Sequence, residues 1–286
     1  MPFHIMHVIG DSRVHGLFGY AEVIETVRWG LAELGHEVSV AVNSYVPDRT
    51  NIIFGIHMIG LPTLAQLPKD TIAYNFEQMA RRPVEKFLPA VQYVAQYFQV
   101  WDYSSSNLEA WQRLHAGCKP KYVPVGWSPT LRRIPKRDDE DIDVLFYGIS
   151  GPARLQTFDK ICRTGLKCVF ACGLYGPSRD DLISRAKLVL NLNYYEHSRI
   201  FEIVRVSYLL ANGNAVVSDI FPDSFIEPDL KDAIAFAPVE SLPATCLQLI
   251  SDDAARSALA ARGQSIMEQR DIRPILQTAL KQDFDP

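Results

Sequence analysis

Short apolar runs alternate with amphipathic stretches along the whole chain. Residues 4–10 form an apolar run closed by a glycine, which predicts a buried strand. A polar loop with two glycines, 11–19, follows. In 20–34 the apolar positions Val23, Ile24, Val27 and Leu31 recur at helical spacing, and Gly35 suits the helix terminus. Residues 36–42 make the next strand. Strand, loop, helix, glycine and strand form a βαβ unit, the usual opening of a doubly wound α/β domain.

The alternation continues. Strands are predicted over 51–57, 71–75, 100–103 and 121–125. Helices are predicted over 84–97 and 104–116, the second started by a serine cap at 104–106. Residues 129–141 are charged and contain Pro135, which reads as a linker. The pattern then restarts, with strands over 142–148, 166–171, 188–192, 215–217 and 233–236. Helices follow over 152–163, 179–186, 201–211, 241–250 and 253–269, and the amphipathic stretch 272–281 predicts a last one. The fold class is therefore α/β, with two Rossmann-like α/β/α domains over 1–128 and 142–270 facing a cleft. In such domains ligands gather beyond the carboxyl ends of the strands.

Composition narrows the function. The 286 residues are 48% hydrophobic and 22% charged, ordinary for a globular chain of one large or two compact domains. Twenty-nine basic against thirty-three acidic side chains give a net charge of -4, which argues against a broad nucleic-acid surface but leaves room for a local phosphate site. No apolar run reaches the roughly 18–20 residues of a membrane span. The first ten residues lack a basic leader. A cytoplasmic location is expected, with peripheral attachment at the inner membrane as the alternative. The five cysteines include no CxxC pair and read as buried thiols rather than metal ligands. No DxD follows a strand: Asp139 and Asp141 fall in the linker, and Asp180 and Asp181 open a helix. No metal site and no resident cofactor are expected.

Candidate chemistry lies beyond strand ends. In the first loop, Gly16 and Gly19 permit close backbone approach beside Arg13, although the spacing is not GxGxxG and a plain βα turn is the alternative. His15 is the ionisable group there that exchanges a proton near neutral pH, which suits a general base. His4 and His7 fall inside the strand and read as packed or hydrogen-bonded. Asn75, Glu77 and Gln78 end another strand with donors and acceptors suited to hydroxyl groups, or else start a capped helix. Trp101 to Ser104 reads as structural. In the second domain, Tyr147, Gly148, Ser150 and Arg154 combine backbone amides with a bidentate cation, a pattern suited to a diphosphate. The densest polar segment holds Asn193, Tyr194, Tyr195, His197, Ser198, Ile200, Phe201, Glu202 and Arg205. Glu202 and Arg205, three apart, share a helix face. Glu202 could accept from ribose hydroxyls and Ser198 could hold phosphate; the structural alternative is a surface ion pair.

The strand and loop from Asp143 to Gly148, and the stretch from Phe201-Glu202 to Val217-Ser218, resemble the donor-binding half of the GT-B glycosyltransferases, of the group 1 and group 4 kind. The resemblance implies that Glu202 meets the ribose of a nucleotide-sugar, that the first domain binds the acceptor, and that the last segment, 271–286, crosses back to the first domain. It further implies sugar transfer from a nucleotide-diphosphate sugar to a carbohydrate or other hydroxyl-bearing acceptor, without a metal. The donor set is then Tyr147, Gly148, Ser150, Arg154 and the nine residues from Asn193 to Arg205 named above. The acceptor set is Arg13, Gly16, Gly19, Asn75 and Gln78. His15 would be the base of an inverting enzyme, with Glu77 in reserve. The chain departs from the family's paired acids: eight residues before Glu202 stands Tyr194. A nucleotide-sugar epimerase or hydrolase on the same fold, and a catalytically silent partner subunit, are the rival readings.

Overall fold

The computed structural model describes residues 2–10, 18–79, 87–194 and 200–281. The chain divides into two compact units, one of Met1–Ser128 with Asp271–Pro286 and the other of Pro129–Arg270. The chain therefore passes between units twice, after Ser128 and after Arg270.

Unit 1 is built on a six-stranded parallel sheet. Its elements are β1 (Pro2–His7), α1 (Ala21–Glu33), β2 (Glu37–Val42), β3 (Thr50–Phe54), α2 (Leu61–Leu64), β4 (Ile72–Asn75), α3 (Leu88–Tyr97), β5 (Gln99–Asp102), α4 (Leu108–Leu114) and β6 (Lys121–Tyr122). The strand order is β2-β1-β3-β4-β5-β6. The inner strands β1, β3 and β4 are covered on both faces, which explains their continuous apolar runs in place of alternation. The edge strand β2 keeps Val40 and Val42 exposed. The chain leaves β3 through Gly55, whose φ of 80° is open to glycine at little cost.

The serine cap expected at 104–106 does not form. A 3-10 turn, Ser105–Asn107, comes first, and α4 starts only after it. The Asp102 carboxylate takes the Ser104 amide at 2.9 Å, and the Ser104 and Ser106 hydroxyls bond each other at 2.9 Å. A buried acid two residues earlier has displaced the hydroxyls from that role.

The last helix of the chain, Ile272–Lys281, belongs to unit 1 and packs on α1. Gly30 makes the approach possible: a Cβ there would lie 2.7 Å from Ile272 Cγ2 and 2.8 Å from Leu276 Cδ1. The Ile272 amide donates to Trp127 O at 3.1 Å, and Lys121 Nζ donates to Ala279 O at 2.9 Å.

Unit 2 carries a five-stranded parallel sheet. It comprises β7 (Ile142–Tyr147), α5 (Pro152–Cys162), β8 (Cys168–Ala171), α6 (Pro177–Ser184), β9 (Ala186–Asn191), α7 (Ile203–Ala211), β10 (Val216–Asp219), β11 (Ala235–Ala237), α8 (Leu242–Ser251) and α9 (Asp253–Glu268). The helix Ile272–Lys281 of unit 1 is thus α10. The strand order β11-β10-β9-β7-β8 places β7 between β9 and β8, so its chain connections leave in opposite directions. That reversal opens a crevice at the carboxyl ends of β7 and β9. Phe146, Leu188, Leu190, Val217, Leu242 and Cys246 fill the core beneath.

The segment 129–141 packs on unit 2 instead of hanging as a connector. Leu131 is buried, and the amides of Arg133 and Ile134 donate to Asn212 Oδ1 at 2.9 and 2.8 Å. Asn212 Nδ2 returns a bond to Leu131 O at 2.9 Å.

Candidate functional site

At the switch point of unit 2, β7 ends in Tyr147 and turns through Gly148, whose φ of 145° is accessible to glycine and strained for other residues. A Cβ on Gly148 would lie 3.5 Å from the Arg205 guanidinium. The glycine thus lets the turn run against that cation. Arg205 stands in the first turn of α7, and its Cζ lies 5.5 Å from the Phe146 ring centre and 5.9 Å from that of Tyr147. Its Nη1 is buried and has no hydrogen-bond partner among the described residues. An unpaired buried donor on a cation is costly, and natural proteins seldom keep one without a use for it.

Arg154, in the first turn of α5, behaves differently. Its Nε and Nη2 donate to Leu192 O at 3.0 and 2.6 Å, and Nη1 donates to Ile149 O at 2.8 Å. The guanidinium packs between the Phe146 and Tyr194 rings, 5.3 and 5.0 Å from their centres. Burial first, then the nearby Arg205, pushes its pKa down to about 10, against the pull of Glu202, Asp219 and Tyr194. Arg154 braces the two strand ends from inside rather than presenting a free fork.

Two carboxylates balance these cations. Glu202 is the N-cap residue of α7, one place before the helix, so Glu202 and Arg205 do not share a helix face as the spacing suggests. Asp219 closes β10. It takes the Asn193 amide at 3.0 Å and Asn193 Nδ2 at 3.0 Å. Burial raises its carboxyl to about 6; the Asn193 amide and Arg154 oppose the rise, and Glu202 adds to it. Asn193 Oδ1 is buried and unpartnered among the described residues.

Ser150 and Tyr194 are exposed at the rim. Ile200 and Phe201 turn inward: both are buried, Phe201 packs on Phe236, and the Phe201 amide donates to Phe225 O at 3.1 Å. Their backbone fixes where Glu202 begins α7. Tyr195, His197 and Ser198 lie outside the described residues.

In unit 1, Arg13, His15 and Gly16 lie outside the described residues, and Gly19 is exposed ahead of α1. Asn75 points inward, donating to Asp102 Oδ2 at 2.7 Å and to Glu77 O at 2.9 Å. Glu77 is exposed. Its Oε1 accepts from the Tyr20 hydroxyl at 3.1 Å and lies 3.8 Å from His57 Nε2. Burial lowers the His57 pKa while Glu77 opposes the fall. Gln78 is half-buried beside it. His4 is spent on the Ser39 hydroxyl and Ser44 O, each at 2.8 Å.

No known protein family's sequence profile matches the chain. It is 22% identical to an uncharacterized protein of Acanthamoeba polyphaga mimivirus over 242 residues, which is 82% of this chain and 75% of that protein. Among solved structures, Anabaena HepE in complex with UDP-glucose superposes with a TM-score of 0.64 over 98% of each chain at 12% identity. Sucrose-phosphate synthase from Thermosynechococcus elongatus gives 0.65 over 99% of each chain at 13% identity. The chain has the GT-B fold.

Within the GT-B framework, the second Rossmann-like domain brings Gly148, Arg154, Asn193, Glu202 and Arg205 to one switch point, together with Asp219. Sequence reasoning missed Asp219, and also missed His57 and the Asp102 network in the first domain. The available signal was an acid directly closing an apolar strand, as in Val-Val-Ser-Asp at 216–219 and Val-Trp-Asp at 100–102. Among the described residues no cluster of three or more His, Cys, Asp or Glu is arranged to hold a metal ion, and no helix is long and apolar enough to cross a membrane.

Proposed function

We propose that this GT-B protein is a glycosyltransferase that moves a sugar from a nucleotide-diphosphate sugar to a hydroxyl-bearing acceptor. The observation that carries the proposal is Arg205, whose buried Nη1 has no hydrogen-bond partner among the described residues, beside the Gly148 turn at a topological switch point. A diphosphate is the ligand this pair suits. Glycine lets phosphate oxygens approach the backbone, and the guanidinium supplies charge-assisted hydrogen bonds that strengthen as negative charge builds on the leaving group. Glu202 would accept from the ribose hydroxyls. Asp219 would hold the Asn193 turn that borders the site. Arg154 would add positive field while keeping most of its donors on carbonyl oxygens.

The acceptor would bind unit 1. If the transfer inverts the anomeric centre, His15 is the proposed base and Glu77 the reserve; a retaining transfer needs neither as a base. UDP-glucose, the molecule bound in the HepE complex, is the first donor to test. Incubating the protein with labelled nucleotide-sugars and a mixed acceptor pool should release nucleoside diphosphate in step with a glycosylated product. Glu202→Gln should weaken nucleotide binding about tenfold or more, as loss of a charged hydrogen-bond partner does. A folded protein that binds no nucleotide-sugar at all would reject the reading. Release of a free sugar or of an epimerised donor, with no transfer product, would replace it with a hydrolase or an epimerase.

A further inference from the structure

The strand β2 ends the sheet of unit 1, with β1 on one side and no described strand on the other. One bond fixes which of its backbone groups face outward. The Asn43 amide donates to His7 O at 3.0 Å, so Ser39, Ala41 and Asn43 turn toward β1. By alternation Val38, Val40 and Val42 turn their N–H and C=O groups to the open edge. The same three valines share one face of the sheet, and Val40 and Val42 are 42% and 51% exposed.

Exposed edges are commonly guarded by lysine, proline or a bulge. Residues 37–42, Glu-Val-Ser-Val-Ala-Val, hold no lysine and no proline, and their register with β1 runs unbroken from Glu37 to Val42. The strand is also held in place. Ser39 Oγ meets His4 Nδ1 at 2.8 Å, and Asn43 Oδ1 accepts the Ile9 amide at 2.8 Å while its Nδ2 donates to Ile9 O at 2.9 Å. The one charged group of the strand, Glu37, lies at its start and pairs with Arg49.

We propose that β2 pairs antiparallel with β2 of a second copy of this chain, across a two-fold axis at Val40. The strand is complementary to itself in that register. Val40 faces Val40 and Val38 faces Val42 in both directions, so every facing pair is apolar and exchanges two main-chain hydrogen bonds. Glu37 falls opposite Asn43 of the second copy, and the two Glu37 carboxylates stand at opposite ends of the ladder. A parallel pairing in register would set Glu37 beside Glu37 and put outward backbone groups against outward groups that cannot alternate with them. A two-fold pair is also closed, which leaves no β2 edge open to a third chain. Strands of six residues make a small interface, so the dimer is concentration-dependent. The pairing is independent of the reading of unit 2 as a donor site.

The test is sedimentation equilibrium of the full chain from micromolar to near-millimolar concentration. The expected result is a reversible species of twice the chain mass. Val40→Lys, which brings two like charges together at the axis, should weaken self-association about 100-fold or more, and Val40→Thr should keep it. Unchanged urea unfolding of each variant shows that the fold is intact. The register is read by cysteine pairing in glutathione disulfide, scored on a non-reducing gel above the background of the parent. In Val40→Cys the two Cα atoms would lie about 5.5 Å apart, within disulfide reach. In Val42→Cys they would lie about 13 Å apart and should not couple. A chain that stays monomeric throughout, a dimer that Val40→Lys leaves intact, or equal coupling of the two cysteine variants would each overturn the inference.

Discussion

Asp219 receives both the backbone amide and the side-chain amide of Asn193, each at 3.0 Å, across two neighbouring strands of the second sheet. One carboxylate thus fixes the turn that leaves β9. Asp219→Ala would strand two buried donors at about 1–3 kcal/mol each. Urea unfolding should show a loss of at least 2 kcal/mol, on the order of that sum. A change under about 0.5 kcal/mol, the size of a bland surface substitution, would remove Asp219 from this role.

The same carboxyl gives the pH dependence a sign. Burial raises Asp219 to about 6 in the folded protein, above its ordinary value. The folded state therefore binds the proton more tightly than the unfolded chain, and this contribution is complete below the ordinary carboxylate range. It is lost as pH rises through about 6, at a scale of about 2–3 kcal/mol for a shift near two units. Asp102, also raised to about 6 by burial, slopes the same way. His7, lowered by burial, slopes the other way. The measurement is therefore a difference: the stability of the parent minus that of Asp219→Asn should fall between pH 4 and pH 7, on the order of the shift above. A flat difference would mean that Asp219 is ionised throughout.

Arg205 can be separated from the fold. Its Nη1 is buried with no hydrogen-bond partner among the described residues, so Arg205→Met should leave stability unchanged or raise it, as removal of an unsatisfied donor does. The same variant should lose UDP affinity by roughly 10–100-fold, the range for charge-assisted hydrogen bonds, and keep its affinity for uridine. Calorimetry with the two ligands distinguishes diphosphate contact from general damage. Equal losses for both, or no loss for UDP, would take Arg205 off the diphosphate.

Much of the architecture was legible because a doubly wound sheet writes itself in local patterns. The inner strands β1, β3, β7 and β9 are short apolar runs, and α1 and α10 carry one apolar face each. The site was legible only in part. Glu202 and Arg205 stand close in sequence, and polar density between an apolar strand and a helix marked them. Arg154 reads in the sequence as a bidentate cation for a diphosphate, because a helix-start arginine shows its charge in sequence and not its direction. Packing on Phe146 and Tyr194 turned it toward carbonyl oxygens. Asp219 and Asn193 are 26 residues apart, and only strand order pairs them. Asp102 gathers Asn75, Ser104, Asn107 and Trp111 by the same kind of non-local geometry.

The seam between α1 and α10 yields the last prediction. Gly30 has no Cβ because Ile272 Cγ2 and Leu276 Cδ1 occupy its place, at 2.7 and 2.8 Å. Gly30→Ala has two opposed effects. Alanine favours the helix by about 1 kcal/mol, while overpacking a filled seam costs about 1–3 kcal/mol. The obstructing atoms belong to side chains of a ten-residue helix that reaches the unit only at the end of the chain. The net effect should be a loss of about 1 kcal/mol. Ile272→Ala alone should cost about 2–5 kcal/mol by opening a cavity. In the double variant the new methyl fills part of that cavity. The two losses should therefore fall short of adding by about 1 kcal/mol or more, since neighbours couple where distant sites do not. Urea unfolding of the four proteins reads the coupling directly. Strict additivity would show that α10 does not press on Gly30 in solution, and deletion of 271–286 would then leave the stability of unit 1 intact.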